Sequence, residues 1–206
     1  MILSFLKNKD LILASSSPRR IELLKRIYPN FQIKKSSFDE LSFWQKTKNN
    51  NWDSSLELDN ILKKISLGKA KTIKTTKNSL IIAADTVVTV NKKILGKPTD
   101  KEHAIEMLKT LSGKKHQVKT SISVINAQTN YQINEVTTTD VYFKKLSNKE
   151  IRWYINNDQI DDKAGSYAIQ GKACIFVEKI NGCYYNVMGL PINNLYKILK
   201  KFRNQI

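Results

Sequence analysis

Apolar positions follow two periodicities along the chain, and their succession predicts alternating strands and helices. Residues 11–14 form a short apolar run typical of a buried strand, and the apolar positions after Pro18 recur at helical spacing. The same patterns predict further strands and helices, listed here in chain order: strand 31–35, helix 58–75, strand 79–90, helix 101–111, strands 118–125 and 131–143, helix 150–157, strand 174–180 and helix 191–202. The strands at 118–125 and 131–143 are predicted to pair as an antiparallel hairpin, and residues 39–55 to form an irregular loop. The pattern indicates an α/β protein with a mixed sheet.

The junction between the first strand and the first helix has the features of an anion site. Ser16 or Ser17 can cap the helix and Pro18 suits its first position. Free amides of the first helical turn, with the Ser15–Ser17 hydroxyls beside them, can bind an anion. Arg19 and Arg20 oppose the helix dipole there, which is favourable when a polyanion such as a phosphate chain lies nearby. The alternative interpretation is two solvated arginines on an ordinary strand-turn-helix.

Asp85 interrupts an otherwise apolar strand, where a buried charge is too costly to lack a partner. It therefore requires a cation, a metal ion or a hydrogen-bond network. Ala83 and Ala84 before it are small enough to admit a ligand. Structural pairing with a lysine or arginine is the alternative.

Two later segments carry weaker signals. Lys97 follows Gly96 and precedes Pro98, so it projects from a stiff turn, although many loop lysines do the same. Gln170 lies among small residues, and its amide can complement the edge of a nucleobase because it both donates and accepts. A turn packed against the sheet is the alternative for that segment.

Composition narrows the choice of function. The net charge is +17, from 35 basic and 18 acidic residues. Lysines are spread along the whole chain without forming a block, so we expect solvated faces and no specific nucleic-acid site. The Walker A pattern is absent, which excludes a P-loop NTPase. Two cysteines nine residues apart, with no apolar run of membrane-spanning length, predict a cytoplasmic protein without membrane association.

Seven separated motifs, in order, resemble those of the Maf proteins, a family of nucleoside triphosphate pyrophosphatases, over nearly the full length. They are Leu13-Ala14-Ser15 with Ser17-Pro18-Arg19-Arg20, Asp39-Glu40, Lys69-Ala70, Ala84-Asp85-Thr86-Val87-Val88, Leu95-Gly96-Lys97-Pro98 followed by Leu111-Ser112-Gly113 and His116-Gln117-Val118, Asp162-Lys163-Ala164-Gly165 with Tyr167 and Ile169-Gln170-Gly171, and Asn186-Val187 with Gly189-Leu190-Pro191. The resemblance implies one Maf/ITPase-like domain over residues 1–206. Its expected architecture is a mixed twisted sheet flanked by helices, with two lobes around a substrate cleft.

The resemblance also implies hydrolysis between the α and β phosphates with a divalent cation, Mg²⁺ or Mn²⁺. It assigns Asp85 as the catalytic base, as a metal ligand together with Glu40, or as both. The residues that it assigns to phosphate binding are Ser15, Arg19, Arg20, Lys69 and Lys97. These roles agree with the charges that such a reaction needs to stabilise.

Within the family, the segment ending in Gln170 resembles the subgroup that acts on dTTP and UTP. The implied base-reading residues are Gln170, Thr86 and Arg19, and the implied role is housecleaning of the nucleotide pool, including modified pyrimidine nucleotides. The family also implies a homodimer. Residues 41–68, with Trp44 and Trp52, are longer than is usual for it. The alternative function is a nucleotide-binding regulator of cell division and septum formation with little turnover.

Overall fold

Seven strands and seven α-helices occur in the computed structural model of the chain, which describes residues 6, 8–48, 54–75 and 78–205. The strands are β1 (Asp10–Leu13), β2 (Gln32–Ile33), β3 (Ser79–Val90), β4 (Lys93–Leu95), β5 (Lys115–Asn126), β6 (Gln132–Phe143) and β7 (Val177–Asn181). The helices are α1 (Pro18–Lys25), α2 (Glu40–Lys48), α3 (Ser55–Lys71), α4 (Lys101–Leu111), α5 (Asn148–Asn157), α6 (Tyr184–Val187) and α7 (Ile192–Lys201).

The strands form one mixed sheet in the order β2-β1-β3-β5-β6-β7, with β4 paired to β3. β1 lies parallel to both β2 and β3, whereas β3–β4 and β6–β7 are antiparallel. β5 and β6 are neighbours joined by a short connection, and backbone bonds at both ends of the pair show the antiparallel direction: Asn126 donates to Tyr131 and Phe143 donates to Lys114. The predicted α/β class with a mixed sheet is therefore confirmed.

The chain divides into two compact units assembled from interleaved segments. The first comprises Met1–Asp85, Thr120–Val136 and Gly189–Ile206, and the second comprises Thr86–Lys119 and Thr137–Met188. The expected substrate cleft stays a prediction. No helix among the described residues is long and apolar enough to cross a membrane.

The core of the first unit lies where α3 packs on the sheet. The predicted apolar stripe of α3 is buried, and a hydroxyl cluster fixes the same helix: Ser66 Oγ lies 2.8 Å from Ser121 Oγ and 2.7 Å from Ser123 Oγ. Asn134 extends this cluster by accepting from Ser121 and donating to the carbonyl of Lys63. Because all these polar groups are satisfied, they can define the register of α3 on the sheet.

The second unit contains an aromatic cluster around His116. The His116 ring packs edge-on against Phe143 and Tyr167, and its Nε2 lies 2.8 Å from the Tyr167 hydroxyl. Two helices of this unit begin at side-chain caps, α4 at Asp100 and α5 at Ser147.

Two predicted elements differ from the structure, and one strand of the structure was not predicted. The predicted irregular loop at 39–55 contains helix α2, because the Asp39 carboxylate accepts from the Ser42 amide and caps it. The predicted strand at 174–180 begins as a 3-10 turn, Lys172–Phe176, and becomes extended only at Val177. Strand β4 has no counterpart in the prediction. Trp44 lies in α2, whereas Trp52 falls outside the described residues.

Candidate active site

The junction between β1 and α1 is organised around Ser15 at the end of the strand. Its buried hydroxyl accepts from the Ser17 amide at 3.2 Å. Ser17 is the N-cap of α1 and Pro18 is the first helical residue, as predicted. The Ser17 side chain makes no capping hydrogen bond, so the expected hydroxyl cap does not occur at that residue. The Ser15 hydroxyl instead organises the backbone that leads into the helix.

Arg20 connects the first turn of α1 to the rest of the first unit. Its Nη1 donates to the Ala84 carbonyl at 2.7 Å and to Ser15 Oγ at 3.4 Å, and its Nε donates to the Gly189 carbonyl at 2.9 Å. Burial lowers the pKa of Arg20, while the negative charges of Asp85 and Glu40 act in the opposite direction. A guanidinium stays protonated in proteins, so the site keeps this positive charge. Arg19, next to it, is half-buried.

Lys69 lies between two carboxylates. Its Nζ is 2.6 Å from Asp85 Oδ1 and 2.7 Å from Glu40 Oε2. Lys69 comes from the last turn of α3, Asp85 from the centre of β3, and Glu40 from the first turn of α2. Three predicted site residues, separated by up to 45 positions, are thus brought together.

The Asp85 carboxylate is buried, and its neighbours act in opposite directions on its pKa. Its side chain is 6% exposed, and Oδ2 accepts no hydrogen bond from the described residues. Burial raises the pKa of Asp85, and the neighbouring Glu40 raises it too, whereas Lys69 and Arg20 lower it. Burying a carboxylate oxygen without a partner is unfavourable, so this atom is available to a proton or a cation.

The pair of carboxylates fits part of the coordination shell of a divalent cation. Mg²⁺ and Mn²⁺ prefer oxygen ligands, and Mg²⁺ is commonly held by one or two carboxylates while phosphates and waters complete its shell. Asp85 and Glu40 supply two such side chains. Among the described residues no group of three His, Cys, Asp or Glu side chains is placed to hold a metal ion. The protein alone therefore offers a partial coordination shell.

In the second unit, the turn with Lys97 is bonded to the segment that precedes Gln170. The Gly165 amide donates to the Gly96 carbonyl at 2.9 Å. Gly165 has a φ of +68°, and an added Cβ would lie 3.1 Å from the Val88 methyl groups, so a larger residue would strain the backbone and crowd Val88. Lys97 itself is exposed.

Gln170 lies at the tip of an anchored turn. The Gly171 amide closes this turn on the Ala168 carbonyl at 3.0 Å, and Tyr167 and Ile169 are buried while Gln170 is exposed. Thr86, on β3, is the half-buried position of an otherwise buried strand. Lys97, Gln170 and Thr86 all belong to the second unit, whereas the other predicted site residues belong to the first.

The contact between residues 36–40 and the end of α3 was not predicted from the sequence. Ser36 lies 2.8 Å from the Thr72 hydroxyl, and the Phe38 ring covers Gly68. Alternation of Ser36, Phe38 and Glu40 is the period of an extended segment with one packed face, and this signal could have indicated the contact.

The fold and these residues define an α/β protein with a carboxylate–lysine–carboxylate cluster, built around the buried Asp85, in the unit that holds its first strand-helix junction. The family model described as "Maf-like protein" matches residues 10–202, and the chain belongs to that family. Two similar proteins are named dTTP/UTP pyrophosphatase. That of Clostridium botulinum (strain Kyoto / Type A2) is 46% identical over 195 residues, and that of Clostridium perfringens (strain SM101 / Type A) is 44% identical over 193 residues. Each alignment covers 93% of this chain and 96% of the relative.

Proposed function

We propose that this protein hydrolyses dTTP and UTP, and modified pyrimidine nucleotides, to the nucleoside monophosphate and pyrophosphate. The names and high coverage of its relatives support this substrate class. The observation that carries the chemistry is Asp85, a buried carboxylate with one oxygen on Lys69 and the other without a hydrogen-bond partner among the described residues. A housecleaning role in the cytoplasm, as a homodimer, belongs to the same proposal.

Asp85 and Glu40 are the residues that would hold the divalent cation. When bound, Mg²⁺ or Mn²⁺ would neutralise phosphate charge and polarise the oxygens around the reacting phosphorus. Lys69 meanwhile holds both carboxylates and offsets their mutual repulsion. With a cation held by the two carboxylates, the ammonium of Lys69 would be available to the phosphate chain.

The reaction moves one proton and exchanges one bond. Water attacks the α phosphorus, and the bond from this phosphorus to the oxygen that bridges it to the β phosphorus breaks. Asp85 takes the proton from the water, a role that its raised pKa favours because a base with a pKa nearer the working pH is more effective. Pyrophosphate leaves with the bridging oxygen, and its charge is balanced by Lys69, Arg19, Arg20 and Lys97 with the Ser15 junction.

Gln170 is our candidate for reading the base. Its amide can accept from N3-H and donate to O4 of uracil or thymine, and cytosine presents the reverse pattern. Burial of Tyr167 and Ile169 limits the freedom of the turn that presents Gln170. Thr86 and Arg19 complete the set of residues proposed for specificity.

Pyrophosphate release from a panel of nucleoside triphosphates with Mg²⁺ or Mn²⁺ tests the proposal. We expect release from dTTP and UTP, and a loss of about a thousandfold in Asp85→Asn because the base is gone. Asp161→Asn, an exposed carboxylate of the second unit, is the matched control and should retain full activity.

Release only from other nucleotides would contradict the role of Gln170 and leave the chemistry in place. No release from any nucleotide, with dTTP nonetheless raising the melting temperature, would overturn hydrolysis in favour of a regulator of cell division that binds nucleotide.

A further inference from the structure

Residues 36–40 run along the last turns of α3, and alternate side chains of this segment touch the helix. Ser36 meets Thr72, Phe38 meets Gly68 and Glu40 meets Lys69. All three contacts lie within the first unit. Two of these side chains, Ser36 and Phe38, have no part in the chemistry proposed above.

The polar contacts form a directed chain of hydrogen bonds, here named the Ser36 relay. Thr72 Oγ1 donates to the Lys69 carbonyl at 2.9 Å, so its only proton is committed there. Ser36 must then donate across the 2.8 Å contact to Thr72, and Ser36 itself accepts from the Phe38 amide at 3.1 Å. The relay therefore leads from Phe38 through both hydroxyls to the backbone of Lys69.

The relay closes on itself through Glu40. The Glu40 amide donates to the Phe38 carbonyl at 3.0 Å, and the Glu40 carboxylate accepts from Lys69 Nζ at 2.7 Å. Contacts that begin at the carbonyl of Lys69 thus end at its ammonium. A closed ring of this kind restrains the position of Glu40 more than the ion pair with Lys69 alone can, because the Glu40 side chain is 43% exposed.

A steric contact supports the same ring of contacts. A Cβ built on Gly68 would lie 2.6 Å from Phe38 Cδ2 and still nearer to Cε2. Any side chain at residue 68 must displace the Phe38 ring. Glycine costs about 1 kcal/mol relative to alanine inside a helix, so its presence in α3 needs a packing reason.

We infer that Ser36, Thr72 and the Phe38–Gly68 contact are positioning elements that hold Glu40 beside Lys69 for binding of a divalent cation, an inference that rests on the proposed function. Ser36 and Thr72 act through Glu40 and touch no reacting atom. The Phe38 ring sets the distance between the 36–40 segment and α3. Loss of the Ser36–Thr72 hydrogen bond or of the Phe38–Gly68 contact lets Glu40 move away from Lys69, while Asp85 stays in place on β3.

Binding of Mn²⁺ alone, followed by the electron paramagnetic resonance signal of the free ion, tests this inference without turnover. Thr72→Val keeps the shape of the side chain and removes the hydroxyl. We expect it to raise the Kd for Mn²⁺ about tenfold, as is usual when support of a metal ligand is lost. Thr72→Ser keeps the hydroxyl and should bind Mn²⁺ as the wild type does. In the dTTP assay, Thr72→Val should raise the Mn²⁺ concentration needed for half activity and leave kcat at saturating Mn²⁺ close to wild type.

A double variant separates positioning from general damage. Thr72→Val should add nothing to the loss caused by Glu40→Gln, because the relay acts through Glu40. The inference would be overturned if the two losses of Mn²⁺ affinity multiply in the double variant. It would also be overturned if Thr72→Val binds Mn²⁺ as the wild type does. If Thr72→Val does not fold, Gly68→Ala replaces it in the test. Weaker Mn²⁺ binding by Gly68→Ala that is restored by adding Phe38→Leu supports the inference. Unchanged Mn²⁺ binding by Gly68→Ala refutes it. If the wild type binds Mn²⁺ but releases no pyrophosphate, the proposed function is refuted, whereas the inference about Mn²⁺ binding is not.

Discussion

Asp85 combines a cost in stability with the chemistry proposed for the site. Ala83 and Val87, two positions away from it on either side along β3, are buried apolar residues, and Lys69 is hydrogen-bonded to only one of its two carboxylate oxygens. The sequence allows two interpretations of Asp85, an ion pair with a lysine and a functional carboxylate. Both are compatible with the contacts that Asp85 makes in the structure. A buried charge with incomplete hydrogen bonding contributes little to the stability of a fold, and such charges are frequent at active sites.

Replacing Asp85 by asparagine should raise the free energy of unfolding while activity is lost. Asparagine is nearly isosteric and removes the desolvated charge, and Lys69 keeps Glu40 as a partner. We expect an increase of about 1 kcal/mol, typical of relieving strain at an active site. Urea denaturation measures it.

Glu40→Gln is the comparison for that measurement, since its side chain is partly exposed and its loss should change stability little. A clear decrease in the stability of Asp85→Asn would mean that the ion pair with Lys69 outweighs the cost of burial.

At the scale of elements, predictions were accurate where one pattern dominated. β3 and α4 match their predicted bounds, since one is a largely apolar and β-branched run interrupted by Asp85 and the other carries a regular apolar stripe. Helix α2 was missed because few of its side chains are buried in a stripe and its start depends on the Asp39 cap. The contact of Lys69 with Asp85 could be expected only through the family resemblance, because tertiary packing, and not local periodicity, brings α3 to β3.

His116, at the start of β5, should make the second unit sensitive to acid. Burial lowers the pKa of His116 from 6.5 to about 4. Between these values the unfolded chain binds a proton that the folded chain does not, so stability falls as pH decreases through this window. The loss is about 1.4 kcal/mol for each pH unit inside the window.

Urea denaturation at pH 6.5 and at pH 5 measures this effect. His116→Gln should lose less stability than the wild type on acidification. Tyr167→Phe removes the hydroxyl that bonds His116 but keeps the buried ring, so it should retain the wild-type dependence. Equal dependence in wild type and His116→Gln would contradict the assignment.

At the scale of the whole molecule, charge is the unusual property. The net charge of +17 exceeds what the predicted anion site needs, since only Arg19, Arg20, Lys69 and Lys97 are assigned to phosphate. The other lysines are dispersed, and several ion pairs in the described part of the chain lie on the surface, such as Lys201 with Glu135. Surface pairs contribute little, so repulsion between like charges is the larger long-range effect.

Added salt should therefore stabilise this protein. Raising ionic strength from about 0.01 M to about 0.1 M shortens the screening length from about 30 Å to about 10 Å, which weakens repulsion between lysines on separate elements. The Lys69–Asp85 pair is buried and is screened much less. We expect the melting temperature to rise by a few degrees, since 1 kcal/mol corresponds to about 2–4 °C in a chain of this size. Sodium chloride and choline chloride should act alike if screening is the cause. A melting temperature that falls with both salts would show that favourable ion pairs, rather than repulsion among the excess lysines, dominate the electrostatics of the fold.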